Sequence, residues 1–370
     1  MIRHNSLRKV IVWILIVYLL LFTPVFVRAE DSITIPTATS YSKVLKDNIP
    51  TTNIVIPAHT TTMEIPMKVS DGGQLQVRVG AKSLNQNVHL SILDSDGATI
   101  EEMSTLSDEG LQCQAWIEQE EKGTIFLHIE IEENDAPINI WCRGVLYPSG
   151  NKVLNQNTWK FAGLTQSKNT AYYKVKMEKN GYIKVQGKTY KTSSGKLAIE
   201  LCNRQKNSLN PKKNRLVKSN DYTTYYALKK GTYYIKIEDI KNPYKIQYKV
   251  SDPDDQGGLN KENATTLMRS KAKTDLIYLN DSKAKSGWFK FSLSSSQTLR
   301  LTISNYSTRK LEYELIAEDP NVTLHNAKFY PHNGKAIFVT SDKLPKGIYY
   351  LKVSKQSTKD ASGAYSVKFE

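Results

Sequence analysis

Lys229-Lys230-Gly231-Thr232-Tyr233-Tyr234-Ile235-Lys236-Ile237 is a glycine turn followed by an alternating apolar strand, and the chain carries this pattern three times. The other copies are Glu121-Lys122-Gly123-Thr124-Ile125-Phe126-Leu127-His128-Ile129 and Pro345-Lys346-Gly347-Ile348-Tyr349-Tyr350-Leu351-Lys352-Val353. Gly123 and Gly231 lie 108 positions apart, and Gly231 and Gly347 lie 116 apart. A second block keeps the same register. Ile65, Met67 and Val69 answer to Tyr173, Val175 and Met177 and to Phe289, Phe291 and Leu293, each set opening 58 positions before its turn glycine. Gly73, Gly181 and Gln297 then lead into Leu75-Gln76-Val77, Ile183-Lys184-Val185 and Leu299-Arg300-Leu301. Offsets that match in this way mean one unit triplicated.

Working outward, each unit also has a middle strand: Val88 to Ile92, Leu197 to Leu201 and Leu311 to Leu315. Period-2 alternation puts one face of each strand in a core and the other in water, which is the signature of an antiparallel sandwich. No segment beyond the N-terminus has sustained helical periodicity. The expected fold is all-β, as tandem antiparallel β-sandwich (jelly-roll-like) domains. The turn glycines are expected to supply positive φ to tight hairpins. Turn formers cluster at Tyr147-Pro148-Ser149-Gly150 and across Ser251 to Gly258 and read as linkers. The expected units are therefore residues 30–149, 150–252 and 253–370. Pro66 interrupts the first strand of unit one, which suggests an edge.

The N-terminus sets the expected compartment. Arg3, Arg8 and Lys9 precede an apolar run from Val10 to Phe22, Pro24 ends it, and Val27-Arg28-Ala29 offers small residues to a signal peptidase. Residues 1–29 thus read as a secretory signal peptide, and the chain as extracellular. The alternative is an uncleaved N-terminal membrane anchor facing the chain outward. Cys113, Cys142 and Cys202 are too few for a disulfide scaffold or a zinc site, although Cys113 and Cys142 are a candidate pair within one unit. The histidines have no metal-ligand spacing and accompany no nucleophile motif. No catalytic residue is assigned, and the chain is expected not to be an enzyme. Asp94-Ser95-Asp96-Gly97 has the look of half a calcium loop but lacks the later glutamate, so a hairpin turn is the expectation.

Tyr172-Tyr173-Lys174-Val175 or Trp288-Phe289-Lys290-Phe291 early in a unit, Leu228 to Ile237 late, and a closing Tyr244-Lys245-Ile246-Gln247-Tyr248 together resemble the bacterial pre-peptidase C-terminal domain. The likeness covers units two and three well and unit one weakly. It implies β-sandwich modules of exported proteins, some of whose relatives bind collagen or carbohydrate. Related modules bind calcium near the N-terminal linker, so the resemblance points to Asp252, Asp254, Asp255 and Glu262 as calcium ligands. No other cofactor is implied.

Alternation turns Tyr172, Tyr234, Trp288 and Tyr350 outward, with Lys174 and Lys236 beside them, as candidate ligand-binding residues. They either stack on sugar or peptide, or pair across strands beneath a loop. Charge is uneven as well. Residues 30–149 hold 7 Lys and Arg against 18 Asp and Glu, whereas residues 150–252 hold 22 against 6 and 11 of the 21 tyrosines. Such a charge attracts polyanions or docks on acidic unit one. The expected role is a non-catalytic binding or structural array that contacts an anionic or glycan polymer. An accessory subunit or inhibitor of a separate secreted enzyme is the alternative. Nucleic acid is not expected as a partner outside a cell.

Overall fold

The computed structural model describes residues 39–40, 44–132, 134–150, 153–190, 198–209, 214–215, 221–238, 243–282, 285–355 and 361–370. Residues 1–29, read above as a signal peptide, lie outside the described residues, and among the described residues no helix is long and apolar enough to cross a membrane.

The described chain is all-β and forms six sheets stacked as three sandwiches. In each sandwich, one sheet has the first repeated strand beside the strand that opens at the turn glycine, and that strand beside the middle one. In unit two these are Thr170–Met177, Gly231–Glu238 and Ala198–Cys202; in unit three, Ser286–Leu293, Gly347–Lys355 and Leu311–Ala317. Register repeats too: Ile65 faces Leu127, Tyr173 faces Ile235 and Phe289 faces Leu351. The opposing sheet is centred on the second repeated strand, Gly73–Ala81, Gly181–Thr189 or Arg300–Ser307, between a closing strand and the strand that precedes the turn. Every residue of the first repeated block, from Ile65 to Leu293, is buried. These apolar ladders form three separate cores. In the second, Tyr173 and Tyr244 are fully buried and satisfy one another through a 2.9 Å hydroxyl–hydroxyl hydrogen bond.

Of the turn glycines, Gly231 takes the expected positive φ, at 158, near its extended limit, whereas Gly123 and Gly347 do not. What recurs instead is a tyrosine two residues later. Tyr233 donates its hydroxyl to the Lys229 carbonyl at 3.0 Å, and Tyr349 to that of Pro345 at 2.8 Å. Each ring lies within van der Waals reach of the glycine's Cα side. Ile125 occupies this place in unit one and cannot make the bond. Asp94-Ser95-Asp96-Gly97 is the hairpin turn between Val88–Leu93 and Thr99–Glu102, with Gly97 at φ 82.

Pro66 does not interrupt its strand, since Thr62–Val69 pairs with Gly123–Ile131 throughout. On its other side Thr39–Ser40 pairs with residues 63–64 and Leu45–Lys46 with 67–68, so the proline falls in the gap between two short partners. Cys113 and Cys142 are both buried and free. They sit opposite Val79 on the two strands flanking it, about 9.5 Å apart by strand spacing, beyond the reach of a disulfide.

The stretch 147–150 is not a loose linker. Tyr147 and Pro148 end the strand Ile138–Pro148, and Tyr147 is buried against unit two. Gln74 donates to the Leu164 carbonyl at 2.8 Å and Thr165 to Glu120 at 2.7 Å across the same junction. Units two and three meet through Ala227, Leu276, Tyr278 and Ala364, with the Ala227 amide donating to Ser362 Oγ at 2.9 Å.

Candidate functional site

The second sandwich presents two outer faces. The sheet ordered Lys160–Ala162, Tyr244–Ser251, Gly181–Thr189, Asp221–Leu228 buries Ile183, Val185 and Ile246 on its inner side. Alternation therefore sends Lys184, Gln186 and Lys188 out from one central strand and Lys245, Gln247 and Lys249 out from its neighbour. The antiparallel register places Lys184 opposite Lys249, Gln186 opposite Gln247, and Lys188 opposite Lys245. Like charges set directly opposite one another destabilise a sheet. Here two such pairs stand about 13 Å apart along the strands, with a Gln247-to-Gln186 amide bond of 3.0 Å between them. Among the described residues Lys184, Lys245 and Lys249 form no ion pair, whereas Lys188 has Asp221 opposite it on the strand at its other side. Lys245 instead lies 4.6 Å over the Trp159 ring.

On the opposite face the lysine is compensated. Lys236 pairs with Glu200 at 3.7 Å and with Glu238, whose contact is the main cause holding the ammonium above the usual lysine range. Tyr172 and Tyr234 meet edge to face at 6.4 Å, and the Lys206 ammonium sits 4.7 Å over one ring and 5.7 Å over the other. Lys174 is exposed opposite Tyr234. The structure thus brings Tyr172, Tyr234, Lys174 and Lys236 together on one face, but with the rings already capped and Lys236 already paired.

In unit three, Trp288 is half-buried beneath Lys352, 5.6 Å from the ring. Tyr350 is a correction: it faces outward but is only 5% exposed. The chain entering the unit folds back over it, placing Lys261 at 4.9 Å from the ring, and its hydroxyl donates to Glu318 at 3.1 Å.

The calcium ligands inferred from the resemblance do not converge. Asp252 faces Lys179, and Asp254 and Glu262 are exposed. Asp255 accepts the Leu276 amide at 3.3 Å and shares a hydrogen bond with the buried Asp275 carboxyl. Asp275 also accepts from the Tyr365 hydroxyl at 2.6 Å and the Gly257 amide at 3.1 Å. Burial, then the Asp255 carboxyl, pushes Asp275 up to about 7, because two touching carboxyls cannot both ionise. These oxygens hold the linker to the sandwich rather than forming a cation cage. Among the described residues no cluster of three or more His, Cys, Asp or Glu has metal-ligand geometry.

The lysine face has a legible signal: Lys184-Val185-Gln186-Gly187-Lys188 and Lys245-Ile246-Gln247-Tyr248-Lys249 are both K-x-Q-x-K. Neither strand alone shows that the two pair.

No known family model matches the chain, and no curated protein matches it in sequence. Among solved structures it is similar to the N-terminal CBM22-1–CBM22-2 tandem of Xyn10C from Paenibacillus barcinonensis, at 11% identity over 50% of this chain and 82% of that one, TM-score 0.17. It is also similar to the triple jelly-roll protein of an archaeal virus turret, at 10% identity over 85% and 83% of the two chains, TM-score 0.17. A third likeness is to the M60 catalytic domain with its CBM51 domains from Clostridium perfringens ZmpB, at 9% identity over 88% of this chain and 38% of that one, TM-score 0.17. None of these likenesses carries an argument about function.

Proposed function

We propose that this chain is an exported, non-catalytic binding protein whose second unit holds linear anionic glycans on its lysine face. The observation that carries this reading is the opposed pair Lys184–Lys249, with Lys245 beyond the glutamine bridge. An arrangement that costs stability in the free protein is repaid when a polyanion brings negative charge to it. The half-buried Gln186 amide beside the pair has the chemistry to meet polymer hydroxyls, while Gln247 is buried and holds it in place. Docking on unit one does not use this face. Glu118 and Glu120 reach unit two at the Gln166 amide, Thr165 and Ser167 instead.

Retention of the purified protein on immobilised heparin, used as a model polyanion, tests the reading. Binding should be strong at low salt and fall steeply as salt screens the charge. Lys184→Gln/Lys249→Gln should elute at clearly lower salt. Elution of this variant with the wild type would overturn the assignment of the face.

A further inference from the structure

Unit one is acidic, yet three of its 7 basic residues converge on one pocket. Lys46 and Lys68 stand directly opposite one another on neighbouring strands, and Thr124 stands opposite Lys68 on the next. Leu45, Met67, Val69 and Ile125 beside them are buried, so alternation points this row away from the core. Lys122 extends it at the end of the sheet, just before the strand Gly123–Ile131. These residues line a pocket of about 660 Å³, to which Ile49, 54% exposed, adds an apolar side chain.

The three lysines are exposed, and among the described residues none forms an ion pair or a side-chain hydrogen bond. Asp47 is the carboxylate in the lining, and it is engaged locally. It accepts from the Ser70 amide and hydroxyl at 3.1 and 2.7 Å and from the Asn48 side chain at 3.1 Å. Asp71 and Glu121 are neighbours in sequence but do not line the pocket. Unit two shows the compensated version of the same place. Lys176 answers to Lys68 by the 108-residue offset and pairs with Glu178 at 2.8 Å, and the residue that answers to Glu178 is Ser70. In unit three the lysine itself is replaced by Ser292. The acidic unit thus leaves its lysines open at the position where the basic unit supplies a counter-ion.

We infer that this pocket binds a phosphate monoester, with the ammonium groups of Lys46, Lys68 and Lys122 around the phosphate, the Thr124 hydroxyl donating to it, and Ile49 against the esterified group. Lysine meets phosphate as a point charge, and a monoester brings nearly two negative charges on three acceptor oxygens. Three converging ammonium groups therefore suit a compact dianion better than a singly charged carboxylate or diester. The pocket is wider than a phosphate alone, which leaves space for the group that the phosphate is attached to. The site belongs to unit one and does not rest on the glycan reading of unit two.

The test is calorimetry of the purified full chain at fixed ionic strength with phenyl phosphate, its singly charged diester methyl phenyl phosphate, and inorganic phosphate. Phenyl phosphate should bind, the diester should bind about tenfold more weakly because one charge is gone, and inorganic phosphate should bind more weakly because it has nothing to set against Ile49. Lys68→Gln and Lys122→Gln, both exposed substitutions, should each lower phenyl phosphate affinity by about fivefold or more. Lys184→Gln/Lys249→Gln, on the other unit, should leave it within about twofold, since that face lies outside the pocket. No phenyl phosphate binding, equal binding of the diester, or unchanged affinity in both single variants would overturn the assignment. Tighter binding of inorganic phosphate than of phenyl phosphate would also overturn it, in favour of the free anion. Heparin retention reads the lysine face of unit two separately, so its loss or survival does not decide this pocket.

Discussion

The two outer faces of the second sandwich are built from the same residue types and resolve their charge in opposite ways. On the face of Thr170–Met177 and Gly231–Glu238, Lys236 is flanked by Glu200 and Glu238, and Lys206 caps the tyrosine pair. On the face of Gly181–Thr189 and Tyr244–Ser251, lysine opposes lysine. Unit three shows a further solution, in which two carboxyls, Asp255 and Asp275, are brought together and a proton keeps them compatible. A counter-ion, a proton and an open charge are three answers to the same electrostatic problem. Only the last leaves something for an external ligand to complete.

The largest effect is expected where the proton is the answer. Asp275 is held near 7, above the ordinary aspartate value of about 4, so the folded state binds the proton more tightly than the unfolded chain. This stabilisation is full below about pH 4 and is lost as pH rises through 7, by the order of a few kcal/mol. Hydrogen exchange in Ala272–Ile277 should therefore speed up between pH 5 and pH 8, after correction for intrinsic rates. Asp275→Asn, which needs no proton to remain neutral, should flatten the dependence. A flat wild-type profile would show that the carboxyl pair is not shared.

Next comes the counter-ion. Lys236→Met removes the ammonium shared by Glu200 and Glu238, whose side chains are 9% and 12% exposed. A loss of about 2 kcal/mol in urea unfolding of unit two is expected. A smaller effect, about 1 kcal/mol each, is expected for Tyr233→Phe and Tyr349→Phe, which remove the hydroxyl-to-carbonyl bonds that close the repeated turns. The smallest carries the opposite sign. Lys184→Gln should raise stability by about 0.5 kcal/mol, since it relieves like-charge opposition. A destabilisation of similar size would mean that Lys184 is satisfied within the fold.

The fold was legible because the repeat fixes which residues face inward. Ile65, Tyr173 and Phe289, equivalent by offset alone, are all fully buried. The turn chemistry was legible only in part: glycine marked the place, but the tyrosine hydroxyl that bonds back over it lies outside local φ arguments. Alternation also placed Tyr172, Tyr234, Trp288 and Tyr350 on outer faces correctly. It could not show that Lys206, Lys352 and Lys261 come back over those rings, because those contacts depend on where loops and entering segments travel. Cys113 and Cys142 looked pairable in one unit, yet a whole strand separates them. The lysine face was hidden for a related reason. Each K-x-Q-x-K strand is an ordinary solvated face by itself, and only the register between them creates the opposed charges.

The most direct test of the central claim sets the two faces of unit two against each other in one experiment. Binding to a soluble anionic polysaccharide is measured over a salt series for the wild type, for Lys184→Gln/Lys249→Gln, and for Lys174→Gln/Lys206→Gln. Both double variants remove two positive charges from the same unit, so net charge alone would weaken them equally. The account predicts that the first loses affinity at least tenfold and shows a shallower salt dependence, while the second stays within about threefold of the wild type. Equal losses would mean that binding follows net charge rather than the opposed lysines, and a larger loss in the second variant would place the ligand on the tyrosine face and contradict the account.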